Sequence, residues 1–119
     1  MTFKWATISL LFAVTASAQM AMDMKMDSSD GKFTDKMNID MKRMSHDMAN
    51  APMNGNVDHD FVTMMIPHHQ GAIDMAQAEL TYGRDPAMRQ LARKIVVDQQ
   101  KEIDQMNLWL KTEAAAPAK

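Results

Sequence analysis

Three stretches of the chain repeat apolar residues at the spacing of an α-helix. The repeat recurs every three or four positions over residues 34–48, 57–82 and 86–111, and it places the apolar side chains on one face of each helix. Thr34 can cap the first stretch. The pattern therefore predicts an all-α protein with three main helices.

Residues that start and end helices stand at the borders of the second and third stretches. Asn56 or Asp58 can cap the second helix, and Gly83 suits the position just after its end. Asp85 and Pro86 then form a cap followed by proline at the first helical position. Connections this short predict an antiparallel bundle. A fourth helix is missing, so a homodimer can complete the apolar seam.

The first 18 residues have the pattern of a secretory signal peptide. Lys4 provides the positive start, residues 5–14 form an apolar run, and residues 16–18 are the small cleavage motif Ala-Ser-Ala. The apolar run is too short to span a bilayer. We therefore expect cleavage before Gln19 and a periplasmic location.

The rest of the chain divides by composition. Residues 19–32 are polar and methionine-rich and are expected to form a flexible tail; residues 33–113 are expected to form the helical bundle domain. Residues 114–119 are expected to be a disordered C-terminus. No segment after the signal is apolar for long enough to span a membrane.

The composition of the chain limits the metal ligands and the partners that it can have. The chain has no cysteine and 15 methionines, so a site for a soft metal must be built from thioether and imidazole groups. The net charge is −2, which argues against a nucleic-acid partner because such proteins carry a basic patch. One alternative is that methionine merely replaces leucine in an adaptable core.

Two adjacent histidines fall on the apolar side of the second helix. His68 lies at the centre of that arc, which contains Phe61, Met64, Met65, His68, Ala72 and Met75. The arc extends on one flank to Val62, His69, Ile73, Ala76 and Leu80. His68 follows Met64 by four residues and His69 follows Met65 by four, so each imidazole can meet a thioether one turn away. Pro67 removes a helical hydrogen bond and clashes with the carbonyl of Thr63, which predicts a bend.

The third helix also carries polar groups on its apolar stripe. Gln99 and Glu102 lie in the stripe that continues to Met106, and burying them is costly without partners. The expected partners are the histidines of the facing helix, because a carboxylate commonly orients a metal-binding imidazole from behind. The alternative is that His68 and Glu102 form a buried hydrogen-bonded pair and nothing more.

Two further clusters supply soft ligands. Thioethers favour copper(I) or silver(I), whereas carboxylates favour harder ions. One cluster lies in the tail and the other on the first helix, with a histidine nearby: Met20, Met22, Met24 and Met26, and Met41, Met44 and Met48 with His46. Cu(I) is therefore the predicted ligand, with Cu(II) and Ag(I) as alternatives.

Other metal and catalytic chemistries fit the sequence poorly. A di-iron bundle needs Glu-x-x-His pairs, and none of Glu79, Glu102 and Glu113 is followed by histidine three residues later. The adjacent histidines lack the spacing of a helical zinc pair. There is no Gly-x-Ser-x-Gly motif and no thiol nucleophile. The protein is therefore expected not to be an enzyme.

Two segments resemble a known family. The run FVTMMIPHHQGAIDMA at residues 61–76 looks like the signature of domain-of-unknown-function family 305, and residues 98–110 resemble its second block. The resemblance implies a ferritin-like helical bundle and, through CopM-like exported members, copper binding and copper tolerance. The positions carried over are Met64, Met65, His68, His69 and Met75.

The sequence is compatible with two functions from different classes. The first is an exported protein that sequesters copper(I) or hands it to a copper transporter or another exported copper protein. The second is a structural or adaptor bundle whose methionine-rich faces bind a protein partner. The tail methionines favour the first function, because they lie outside any packed face.

Overall fold

The computed structural model describes residues 28–115, which form three α-helices and no strands. We number them α1 (Ser28–Ala49), α2 (Val57–Tyr82) and α3 (Pro86–Ala115). The prediction of an all-α protein with three main helices is confirmed. Within the described range, no helix is both long enough and apolar enough to cross a membrane.

The outer helices are longer than predicted. α1 begins at Ser28 instead of Thr34, so it includes the last residues of the expected tail. Asp30 lies in its first turn, where a negative charge favours the helix dipole. α3 continues to Ala115, past the predicted end at residue 111, because the added residues include alanine, the strongest helix former.

Two predicted helix starts are confirmed by their hydrogen bonds. The Asn56 side chain accepts from the backbone N–H of Asp58 at 2.9 Å and of His59 at 3.2 Å. At the start of α3, Asp85 Oδ1 accepts from the N–H of Ala87 at 2.9 Å and of Met88 at 3.0 Å. These bonds satisfy N–H groups that have no partner inside the helix.

The expected role of Gly83 is only partly correct. Its N–H donates to the Glu79 carbonyl at 2.7 Å, but its backbone is extended (φ −70°, ψ 150°) and not left-handed. The Arg89 guanidinium explains the difference, because Nη1 donates to the carbonyls of Leu80 at 2.6 Å and Gly83 at 3.0 Å. A side chain from α3 thus satisfies carbonyls at the end of α2.

The helices form an open bundle with α2 in the middle. α2 packs against α1 on one side and α3 on the other, whereas α1 and α3 make no close backbone approach to each other within residues 28–115. α2 also runs through Pro67 without interruption. One face of α2 is therefore left without a helix covering it.

The buried core contains valine, isoleucine and alanine. Its members are Val62, Ile73, Ala76, Ala78, Ala92 and Ile103. The described range includes ten methionines, and every one of them is half-buried or exposed. Seven of the ten are half-buried, and the four leucines of this range are likewise half-buried or exposed. The replacement of leucine by methionine in an adaptable core therefore stays an alternative.

The prediction that His68 lies at the centre of the buried arc of α2 is wrong. Phe61 is 59% exposed and His68 is exposed as well. Residues on the flank of the arc are buried instead, including Val62, His69 and Ile73. α3 packs against that flank, and no fourth helix from the described part of the chain covers the centre.

Ion pairs surround a buried carboxylate of α1, and one of them joins α1 to α2. Asp40 is 1% exposed and accepts from Lys36 at 2.5 Å and Arg43 at 3.2 Å. Arg43 also donates to Asp74 at 2.5 Å, and this bond raises the pKa of the Arg43 guanidinium above its usual value. Each of these two carboxylates thus has a cationic partner, as burial requires.

The loop before α2 is held by Asp60. Its carboxylate accepts from the N–H groups of Asn54 at 2.9 Å and Gly55 at 3.1 Å. These bonds, the first above all, together with a contact to His59, lower the pKa of Asp60. Gly55 has φ +84°, a conformation that glycine adopts without strain. These bonds therefore tie the end of the loop to the first turn of α2.

Candidate functional site

His69 is the best-ordered member of the predicted metal site. Its side chain is 10% exposed and lies between α2 and α3. Nδ1 is 2.9 Å from the Met65 carbonyl oxygen, and Nε2 is 2.5 Å from Glu102 Oε2. The predicted pairing of Glu102 with a histidine of α2 is confirmed, with His69 as the partner.

These contacts fix the orientation of the ring. A carbonyl oxygen can only accept, so Nδ1 donates its hydrogen to the Met65 carbonyl. A carboxylate also only accepts, so Nε2 could bind a metal only after Glu102 moves aside and Nε2 gives up its hydrogen. The Glu102 side chain is 53% exposed, so its carboxylate can rotate into solvent. The acceptor behind Nε2 is the Met65 carbonyl, the arrangement expected for a metal-binding histidine, whereas Glu102 occupies Nε2 itself.

His68 occupies a different environment from the one predicted. It is exposed, and Glu102 bonds to His69 instead. Its ring centroid lies 6.0 Å from that of His69, with the planes 64° apart. The alternative of a buried pair between His68 and Glu102 is therefore wrong. An exposed imidazole beside an oriented one is suited to meeting an ion that arrives from solvent.

The two methionines one turn earlier are both half-buried. Met64 precedes His68 by four residues and Met65 precedes His69 by four, within the unbroken helix α2. Side chains at that spacing lie next to each other on a helix. The structure thus supports two neighbouring thioether–imidazole pairs on successive positions of α2.

On α3, the other residues expected to support the histidines, Gln99 and Met106, lie on opposite sides of Glu102 along the helix. Gln99 is half-buried one turn before Glu102. Met106, one turn after it, lines a cavity with Phe61, Val62 and Trp109 among others. Met106 therefore lies where the start of α2 meets the C-terminal part of α3.

The methionines of the α1 cluster differ in how far they are buried. Met41 is 48% exposed, whereas Met44 packs against Gly71 of α2 and Met48 is half-buried. His46 is exposed, and its Nδ1 is 3.0 Å from Asp47 Oδ1. The remaining predicted ligands, Met20, Met22, Met24 and Met26, lie outside the described residues.

Met75 also lies away from the histidines. It lines an apolar groove together with Met37 of α1 and Met88 of α3. The helical repeat places Met37 and Met88 on apolar stripes without indicating a role for them. Their convergence depends on how α1 and α3 are set against α2, which no local pattern records.

Hard-ligand sites do not form in the described part of the chain. Among residues 28–115, no three histidine, aspartate or glutamate side chains come together as a metal-binding group.

The fold and these residues define a small cysteine-free helical bundle with thioether and imidazole side chains on partly open faces. The family described as Domain of unknown function (DUF305) matches residues 8–110. The chain belongs to this family.

A viral relative shares part of the sequence. The uncharacterized protein L153 of Acanthamoeba polyphaga mimivirus is 42% identical over 50 residues, which cover 42% of this chain and 33% of the viral protein. The match thus spans about a third of that relative's length, and the relative's name assigns it no activity.

Proposed function

We propose that this protein binds copper(I) through methionine and histidine side chains and has no catalytic role. The observation that carries the proposal is the placement of the methionines. All ten in the described range are half-buried or exposed, while the core is made of valine, isoleucine and alanine. Met41, Met53 and Met88 are exposed and can meet an ion from solvent. With no cysteine in the chain, thioether sulfur is the softest ligand available.

The paired histidines give this proposal a defined first site. His69 Nε2 would bind the ion after Glu102 releases it, while Met65 keeps the ring oriented through its carbonyl. Met64, Met65 and exposed His68 supply the neighbouring donors. Silver(I) would occupy the same thioether-rich site, and copper(II) would depend more on the imidazoles.

Export is part of the proposal. We place the protein in the periplasm, where it sequesters copper(I) or hands it to a transporter or to another exported copper protein in support of copper tolerance. Expression of the full chain followed by intact-mass analysis of the periplasmic fraction should give a protein that begins at Gln19. A periplasmic protein that still begins at Met1 would contradict the cleavage, and retention in the cytoplasm would contradict the location.

A second candidate function is that of an adaptor. Large apolar side chains are exposed on all three helices, including Ile39 (61%), Phe61 (59%) and Leu108 (63%). Exposed apolar groups of this kind mark docking surfaces in other proteins. Replacing methionine with leucine would preserve such a surface but would remove a thioether site. This replacement therefore distinguishes the adaptor function from the copper-binding function.

An anaerobic titration tests copper binding directly. We expect the mature protein to compete with a copper(I) chelator and to bind copper(I) at least about tenfold more tightly than zinc(II), a difference of about 1.4 kcal/mol. Oxidation of the methionines to sulfoxides should weaken copper(I) binding, because it makes the thioethers polar and removes their soft-donor character. Equal affinity for zinc(II), or full copper(I) binding after oxidation, would contradict thioether coordination.

A further inference from the structure

A groove of about 350 Å³ opens where the three helices meet. Each helix contributes one methionine to its wall: Met37 from α1, Met75 from α2 and Met88 from α3. The other lining side chains among the described residues are apolar except for Glu79. The groove thus brings three thioethers from three separate parts of the chain into one apolar space.

We propose that Met37, Met75 and Met88 form a second soft-metal site for Cu(I) or Ag(I), separate from the histidine pair on α2. The inference rests on the proposed copper function and adds a site whose ligands are sulfur alone. No single helix carries this site, because each of its three ligands comes from a different helix.

The donors and walls of the groove select the ion. Three neutral thioethers suit a soft monovalent cation of low coordination number, whereas magnesium, calcium and zinc require oxygen, imidazole or thiolate ligands. The apolar walls provide few groups that could replace the water shell of a hard ion. Glu79 also lines the groove, while its carboxylate lies beside Gly83.

The side chains around Met75 leave room for the sulfurs to converge. Ala72 and Ala76 line the groove beside it on α2, and Ala92 lines the same groove from α3. Methionine is unbranched and has three rotatable bonds, so each sulfur can approach an ion without a change in the backbone. Met88 is 49% exposed and gives the ion a path from solvent.

A bound ion would also link parts of the bundle that do not otherwise pack together. Within residues 28–115, α1 and α3 contact α2 but make no close backbone approach to each other. Coordination by Met37 and Met88 would join them through the metal. Because the ion binds only when the three helices are assembled, it should stabilise the folded protein.

Silver(I) titration followed by NMR of ε-methyl-labelled methionine tests this site. In the wild type we expect the methyl signals of Met37, Met75 and Met88 to shift together at one silver(I) per groove. The variant with Met37→Leu, Met75→Leu and Met88→Leu should bind one fewer silver(I) and gain less melting temperature from the metal. Leucine preserves apolar character, approximate volume and helix propensity.

A matched triple variant removes three thioethers elsewhere. Met53→Leu, Met64→Leu and Met65→Leu should leave the three groove signals responsive. Met75→Leu alone provides a milder test if the groove triple variant does not fold, and it should abolish the joint response of Met37 and Met88. Groove signals that stay fixed or shift at different silver(I) ratios, while other methionines respond, would overturn this site and leave copper binding intact. If no methionine responds, both proposals fail.

Discussion

Replacing His69 with alanine should lower the free energy of unfolding by about 1–3 kcal/mol, the range for losing a buried hydrogen-bonded group. His69 is buried and joins Met65 to Glu102 across two helices. His68→Ala provides the matched control, since that neighbouring imidazole is exposed. The control change should alter the unfolding free energy by no more than about 0.5 kcal/mol. Urea denaturation followed by circular dichroism measures both.

His69→Ala and Glu102→Gln together separate a structural role of His69 from a metal-binding role. We expect His69→Ala to remove one copper(I) per chain, and Glu102→Gln to retain it, because the amide can still orient the ring but holds Nε2 less strongly. If His69→Ala melts lower yet binds as much copper(I) as the wild type, His69 is a core residue only. In that case the copper proposal would rest on methionine alone.

Gly71→Ala should also destabilise the protein. A Cβ atom at this position would lie 2.7 Å from Cγ and 2.9 Å from Cβ of Met44. The Met44 Cβ is fixed to the backbone of α1, so the helices would have to move apart. Overpacking of this kind costs about 1–3 kcal/mol, and the better helix propensity of alanine returns at most about 1 kcal/mol.

Two control variants test whether the contact with Met44 causes the loss of stability in Gly71→Ala. Gly31→Ala lies within α1 with nothing within 4 Å of the new Cβ, so there the propensity gain should appear alone as a stabilisation. In a Met44→Gly background, which removes the Met44 Cβ together with the rest of the side chain, Gly71→Ala should likewise be stabilising or neutral. Urea denaturation of the four proteins in that cycle gives the coupling energy. Destabilisation that persists without Met44 would contradict the proposed contact.

Local patterns predicted the parts of the fold that depend on nearby residues. The bounds of α2 follow from the Asn56 cap and the extent of its apolar repeat, and both are observed. The start of α3 follows from Asp85 and Pro86 in the same way. These features are decided within a few residues, so no knowledge of tertiary packing was needed.

The choice between the two histidines depended on information that the sequence lacks. Both lie on the apolar side of α2, and the helical repeat puts His68 at its centre. The structure buries His69 instead, because α3 packs against the flank and no helix of residues 28–115 covers the centre. The approach of Met37 and Met88 to Met75 has the same origin, since it depends on where α1 and α3 cross α2.

The central position of α2 has a consequence for how the chain folds. Each helix–helix interface in residues 28–115 joins helices that are adjacent in sequence, so the chain closes only short loops as it folds and has low contact order. Low contact order is associated with fast folding. It also allows α1 to detach as a cooperative unit while α2 and α3 remain paired. Opening at that interface would separate Met37 from Met75 and so release an ion shared between them.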